Sequence, residues 1–383
     1  MSARIARLEA TAVRYPEPNN DGKIRSLCLV RVETDDGIVG WGEAITGPQE
    51  TSLATAFVIE RRLAPIVLGR DATDVRGAWQ AMRDATYWDG NGGIVSFGIS
   101  AIDIALWDIA GKAAGRPVAA LLGGVRHERL AACASTILAT GDPDRIGREM
   151  AGFVAEGYRY VKGGWGHDLS IAFGRDEARD LTVARVAREA IGPDTELILD
   201  VVALAGWDAE RAIREGTRLH EAARLFWLED ALPEQDLDGY RRLRAALPTR
   251  VCTGEKGWHA AHFRGLVDSG GIDVLMIDPG KAEGLTGTWD AIGLAAAAGI
   301  AWNAHSWSSA LNTAASLHLA AASPNPLLFE LKPLPSPMQD ELVTDPIHQR
   351  DGWVSAPSGP GLGVTVDEAV VARYRFTEDD LGR

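Results

Sequence analysis

The chain has 383 residues, 46% hydrophobic and 24% charged, with a net charge of −14. That balance belongs to an ordinary globular protein and excludes a general affinity for nucleic acid or an anionic membrane surface. No apolar run reaches the ~18–20 residues of a spanning helix, and the opening M-S-A-R-I-A-R lacks a secretory core, so a cytoplasmic location is expected. Cys28, Cys133 and Cys252 are widely spaced in apolar, strand-like runs, which predicts buried free thiols rather than disulfides or a zinc site.

In chain order, the first element is antiparallel β. L-C-L-V-R-V-E-T, then D-D-G, then I-V-G-W-G-E predicts a hairpin turning at Asp35–Gly37. Residues 50 to 85 and 98 to 114 have helical texture. In the second stretch Ile99, Ile102, Ala105, Leu106 and Ile109 recur at helical spacing, and Gly115 and Pro117 end the run. Residues 84 to 96, rich in glycine and without a period, predict a loop. From about residue 130, short apolar runs alternate with longer amphipathic stretches. The runs are 130–135, 158–162, 196–200, 225–229, 251–255, 274–278, 300–305 and 327–330. Eight such units are the arithmetic of an α/β fold built on a (β/α)8, TIM-like barrel. A tail from about 345 to 383 returns to β-turn chemistry and is expected to fold back on the N-terminal domain.

Six of the strands end in an ionisable residue: Lys162, Asp200, Glu229, Glu255, Asp278 and His305. Glu330 ends the eighth. From Asp200 onward the steps are 29, 26, 23, 27 and 25 residues, each about one βα unit. These side chains therefore converge on one mouth of the barrel, the face where barrel enzymes build their sites. One Asp after an apolar strand is commonly a helix N-cap, and one His there is commonly structural. Recurrence unit after unit is what points to a site. Clustered carboxylates are costly unless a cation sits among them. Asp200, Glu229 and Glu255 suit a hard cation with oxygen ligands, and magnesium fits. Asp278 and His305 on adjacent strands read either as a structural hydrogen bond or as a carboxylate-oriented general base. Beside a metal, the second reading suits removal of a proton from carbon next to a carboxylate, with the cation stabilising the enolate charge.

Further motifs carry a family resemblance over nearly the whole chain. V-E-T-D-D-G-I-V-G-W-G-E, the stretch S-A-I-D-I-A-L-W-D-I-A-G-K-A-A-G-R-P-V-A-A-L-L-G-G at 100–124, W-L-E-D-A, T-G-E, L-M-I-D-P-G-K-A-E-G-L-T and S-G-P-G-L-G-V resemble the mandelate racemase/muconate lactonizing branch of the enolase superfamily. The resemblance implies an α+β N-terminal capping domain over 1–125, a (β/α)7β-type barrel over 126–345, and a C-terminal segment, 346–383, that completes the cap. It implies Mg2+ held by Asp200, Glu229 and Glu255, with Asp278 and His305 as the His–Asp dyad. Glu330 matches an acid that hydrogen-bonds the substrate carboxylate; read alone, it could cap a helix. Two positions depart from the pattern. The family often reads K-x-K where this chain has Lys162-Gly163-Gly164, and D-x-N where it has Asp200-Val201-Val202. Both departures suit the sugar-acid dehydratases of the family.

The expectation is therefore dehydration of an aldonate or aldarate to a 2-keto-3-deoxy acid through an enediolate. His305 removes the α-proton and returns it to the departing hydroxyl. Lys162 either binds the substrate or pairs with a ligand carboxylate. A sugar-acid or lactone cycloisomerase or epimerase is the second reading, and a non-catalytic member that keeps the metal site is the third. The partners implied are a small sugar acid and other copies of the chain, as a dimer or octamer. Substrate contacts are expected from Lys23 in the 15–23 loop, from Tyr87, Trp88 and Asn91 in the 87–96 loop, and from Trp165, His167, Lys256, Trp258 and Trp307 just past strand tips. His167 is also a candidate second acid/base.

Overall fold

A computed structural model describes residues 3–165 and 172–381. Three long strands, β1 (Ile5–Glu17), β2 (Lys23–Thr34) and β3 (Val39–Gly47), form an antiparallel meander. The β2–β3 turn falls at the D-D-G expected from the sequence, with Gly37 donating to the Thr34 carbonyl. Alternation along β2 divides its side chains between two cores. Cys28, Val30 and Val32 pack into the cap's own core, whereas Leu27 and Leu29 join the core that continues into the barrel. The helix Gly93–Ala114 lies directly on β3, because Gly40 and Gly42 leave room for it. A Cβ on Gly42 would stand 2.0 Å from the Ala101 carbonyl oxygen.

That helix begins five residues before the expected 98, inside the expected loop. It is also long and apolar enough to cross a membrane, although 78% of its most apolar window is buried. Asp103 and Asp108 interrupt the run in sequence but are satisfied inside the protein. Asp103 accepts from Thr286 N (2.9 Å) and Oγ1 (2.6 Å). Asp108 accepts from Trp41 N, Lys112 Nζ and Leu362 N. The helical stretch expected over 50–85 is broken at residues 68–74.

Eight parallel strands then close a barrel: β4 (Leu130–Ile137), β5 (Tyr160–Gly164), β6 (Glu196–Asp200), β7 (Leu225–Glu229), β8 (Arg250–Thr253), β9 (Val274–Ile277), β10 (Ala301–Ala304) and β11 (Pro326–Leu331). Closure is made by β11 on β4, where Glu330 is opposite Cys133. Inside the barrel Cys133, Ile198, Trp227, Cys252, Val274, Met276 and Leu328 form a buried hydrophobic cluster, and all three cysteines are free and buried. Among the described residues, seven helices connect the eight strands. The C-terminal segment does not go straight to the cap. Trp353–Val354 (β12) first pairs antiparallel with β4 of the barrel. Beyond it Gly361 bridges Pro117, and Arg375 bridges Val13 of β1.

Candidate active site

The barrel strands place their charged tips at one mouth. Register sets Asp200 beside Glu229, and Gly164 beside Asp200. Glu255 lies two residues beyond β8, reached through Gly254 at φ +131°, while Asp278 and His305 each follow their strand by one residue. One oxygen from each of Asp200, Glu229 and Glu255 can be chosen so that all lie within 4.8 Å of one another.

The Lys162 ammonium sits among these acids. It is 3.0 Å from Asp200 Oδ2 and 3.1 Å from Glu330 Oε1, and it donates to Glu229 Oε1. Burial works against its charge, but Asp200, Glu229, Glu330 and Glu255 outweigh that and hold its pKa well above the ordinary lysine value. The remaining Glu229 oxygen accepts from Trp227 Nε1 (2.8 Å), and Asp200 Oδ1 accepts from Val202 N (2.8 Å).

His305 faces this cluster. Its Nδ1 is 2.5 Å from Asp278 Oδ2, and its Nε2 is 3.4 Å from Glu255 Oε2. Asp278 is itself fixed by Gly280 N (2.8 Å) and Asn312 Nδ2 (3.2 Å). A carboxylate on Nδ1 selects the tautomer that leaves Nε2 free to accept a proton. Burial would lower the imidazole pKa, but Glu255, Asp278 and Glu330 raise it to about 9, which keeps the ring protonated near neutral pH unless a cation on these acids offsets their charge.

The donor set tests whether a metal belongs here. Three buried acids, Asp200, Glu229 and Glu330, and the half-buried Glu255 surround one lysine. Burial pushes the Glu229 carboxyl well above the usual range, with Lys162 opposing and Asp200 and Glu330 adding to the rise. The acids therefore carry more negative charge than Lys162 alone balances. A divalent cation supplies the missing positive charge, and all-oxygen ligands match a hard ion.

Comparison with known proteins identifies the family. Residues 145–370 match the enolase C-terminal domain-like family, and residues 21–123 match the mandelate racemase / muconate lactonizing enzyme N-terminal domain. The chain belongs to the mandelate racemase/muconate lactonizing enzyme family. Among curated members of this family, a D-galactarolactone cycloisomerase from Agrobacterium fabrum is 31% identical over 366 residues, covering 92% of each chain. A D-galactonate dehydratase from Xanthomonas oryzae pv. oryzae is 31% identical over 363 residues, again covering 92% of each. Among solved structures, the 3,6-anhydro-D-galactonate cycloisomerase from Zobellia galactanivorans superposes with a TM-score of 0.88 at 28% identity, covering 98% of this chain and 100% of that one. A racemase from Streptomyces coelicolor, solved with bound magnesium, gives 0.85 at 25% identity, covering 97% and 100%.

In this member of the mandelate racemase/muconate lactonizing enzyme family, Asp200, Glu255, Glu330 and the His305 imidazole meet at a cavity. Here it measures about 220 Å³ among the described residues. Lys162, Asp200, Glu255, His305, Glu330, Trp165 and Trp307 line it. Glu330 Oε2 accepts from Ser306 N (3.0 Å), which turns its other oxygen to Lys162. Six expected substrate contacts do not line it, among them Asn91, which is exposed just before the Gly93–Ala114 helix. Lys23 is exposed at the start of β2, beyond the cavity edge. Tyr87 and Trp88 are 73% and 82% exposed and pack edge-to-face on each other. Lys256 is drawn behind the site, where it pairs with Asp230 and lies 3.3 Å from Glu255 Oε1. Trp258 also stays out of the cavity, packed on Phe97 with Lys281 over its ring. His167 lies outside the described residues.

Three polar lining residues were not foreseen: Arg25, Ser135 and Thr136. Arg25 had a signal in the sequence. It shares the β2 face of Leu27 and Leu29, the face that turns toward the barrel. A larger cavity of about 720 Å³ lies at the opposite end of the barrel, beside Leu225, Phe226 and Arg250 at the strands' beginnings, away from every charged strand tip.

Proposed function

We propose that the chain is a magnesium-dependent sugar-acid lyase that removes water from an aldonate or aldarate by one-base β-elimination. The observation that carries this reading is the pairing of an Asp278-oriented His305 with a three-carboxylate cluster, in a site with no second base at position 164. A Cβ on Gly164 would stand 2.0 Å from the Asp200 carbonyl oxygen, so the backbone there leaves no room for a side chain. Racemisation needs a proton donor or acceptor on each face of the α-carbon. Elimination needs only one.

Asp200, Glu229 and Glu255 would hold the magnesium, whose charge, opposed to the substrate carboxylate, lowers the cost of enolate formation. His305 Nε2 takes the α-proton, and the C–H electron pair stays on the substrate as the enediolate. The Asp278 carboxylate stabilises the positive charge that develops on the His305 ring. The pair then forms the C2–C3 double bond as the C3–O bond breaks, and His305 returns its proton to the leaving oxygen. The resulting enol tautomerises to the 2-keto-3-deoxy acid. Lys162 balances the acid cluster and offers a hydrogen-bond donor at the same mouth.

The second reading, a lactone cycloisomerase, is favoured by the named cycloisomerases among the relatives. It uses the same residues. If the leaving oxygen is tethered in a ring, elimination opens the ring, nothing departs, and the net reaction is an isomerisation. Mass spectrometry of the products from sugar acids and their lactones with Mg2+ separates the two. Loss of one water supports the dehydratase, and unchanged mass supports the cycloisomerase. In either case His305→Asn is expected to lower kcat by at least about 10²-fold while magnesium affinity is retained. Full activity in that variant would remove the dyad from the mechanism.

A further inference from the structure

Among the described residues, Arg25 is the one that lines the cavity from the capping sheet. It is half-buried on β2, opposite Tyr15 of β1. Its guanidinium lies 5.0 Å from the centre of the Trp307 ring, which anchors itself by donating from Nε1 to the Ser135 carbonyl at 3.2 Å. Trp307 thus presents a flat face that holds the guanidinium plane.

Arg25 has no ion pair and no hydrogen-bond acceptor among the described residues, and its Nε is buried without a partner. The neighbouring acid is already engaged. Glu17 is held by Lys332 Nζ at 2.5 Å and accepts from Asn19 N (3.1 Å) and Nδ2 (2.9 Å). A buried guanidinium donor left without a partner is costly, and it is satisfied by an anion brought from outside. The acids on the barrel side of the cavity face Lys162 and His305. Arg25 stands apart from them on the cap.

We propose that Arg25 binds a second carboxylate, at the end of the substrate far from the reacting carbon, and so selects aldarates or their lactones over aldonates. This rests on the sugar-acid reading above and narrows its substrate class. The planar fork of arginine matches a carboxylate by two parallel hydrogen bonds, whereas a terminal hydroxymethyl group offers it one neutral acceptor. A cavity of about 220 Å³, below the roughly 300–1,000 Å³ of drug-sized pockets, suits a short hydroxylated chain.

Galactarate and galactonate are a matched test pair, since they differ only at C6. Their kcat/KM values are measured with Mg2+ for the native chain, Arg25→Lys and Arg25→Gln. The native chain is expected to favour galactarate. Arg25→Gln should lower the galactarate-to-galactonate ratio by about 30-fold, mainly through the KM for galactarate, and Arg25→Lys should restore part of it. The affinity ratio for the two acids is also read by calorimetry in the His305→Asn background, with and without Arg25→Gln. That arm tests the inference independently of turnover, so failure of the reaction and failure of the Arg25 assignment are told apart. A ratio unchanged by Arg25→Gln in both arms, or a native chain that binds galactonate as tightly as galactarate, overturns the proposal. A purely structural Arg25 would lower the melting temperature and weaken both acids equally.

Discussion

Adding a single methyl group at Gly164 should disturb the metal cluster without touching any of its carboxylates. In Gly164→Ala the new Cβ would meet the Asp200 carbonyl oxygen at 2.0 Å and the Asp200 carbonyl carbon and Cβ at 2.8 Å. The first contact is roughly 1.5 Å short of the ~3.5 Å at which such atoms pack. The clashing atoms belong largely to the β6 backbone, so no rotamer change relieves them. Strands β5 and β6 must part, and Asp200, the last residue of β6, must move with them. Overpacking of this kind costs about 1–3 kcal/mol. A chain of 383 residues has an unfolding entropy of roughly 0.8 kcal/mol/K, so the melting temperature should fall by about 1–4 °C. Displacement of one of three ligands should weaken magnesium binding by about 10-fold or more. Thermal unfolding and calorimetric titration with Mg2+ read both quantities. A Gly164→Ala chain that melts and binds magnesium like the native one would refute the close β5–β6 approach. With it would go the argument that a second lysine has no place there.

Two further perturbations follow from buried charge. Lys162→Met removes the ammonium shared by Asp200, Glu229 and Glu330. Metal-free protein should lose about 3–5 kcal/mol of stability, and saturating Mg2+ should return part of it; a variant as stable as the native chain without metal would contradict the arrangement. His318 accepts from Ala119 N (3.3 Å) on Nδ1 and donates from Nε2 to the Leu362 carbonyl (3.1 Å). Burial pushes its pKa down to about 4, with the Leu362 bond opposing. Its neutral form therefore stabilises the fold fully above pH ~6.5, and that term, about 3 kcal/mol, is lost as pH falls from there to about 4. Urea unfolding at pH 5 and pH 8 should show His318→Gln with a smaller pH difference than the native chain; equal differences would count against it.

Much of this architecture is readable from sequence because a barrel repeats. Each strand is a short apolar run, and each run delivers its terminal charge to the same mouth, so Asp200 through Glu330 could be placed by counting. What counting missed is geometry that depends on packing between domains. Residues 15 to 23 read as a loop, yet they are the tip of a hairpin formed by β1 and β2. The residue that reaches the cavity is Arg25, two positions inside the strand, set there by period-2 alternation with Leu27 and Leu29. Tyr87 and Trp88 read as pocket aromatics by composition but turn outward. Lys256 follows Glu255 in sequence, yet the nearby Asp230, at φ +50° after β7, captures its ammonium. No local pattern announces that contact. The helix Gly93–Ala114 starts inside the expected loop because its first turn follows G-N-G and opens on Gly93, a glycine-rich stretch with no helical period of its own.

The central claim is that Asp200, Glu229 and Glu255 grip one divalent ion across from an Asp278-oriented His305. Diffraction from crystals soaked in Mn2+, recorded where manganese scatters anomalously, tests it directly. The account expects one strong peak bounded by those three carboxylates, with His305 Nε2 turned toward the cavity and not among the ligands. A peak elsewhere, or one with the imidazole bound to the ion, would contradict it.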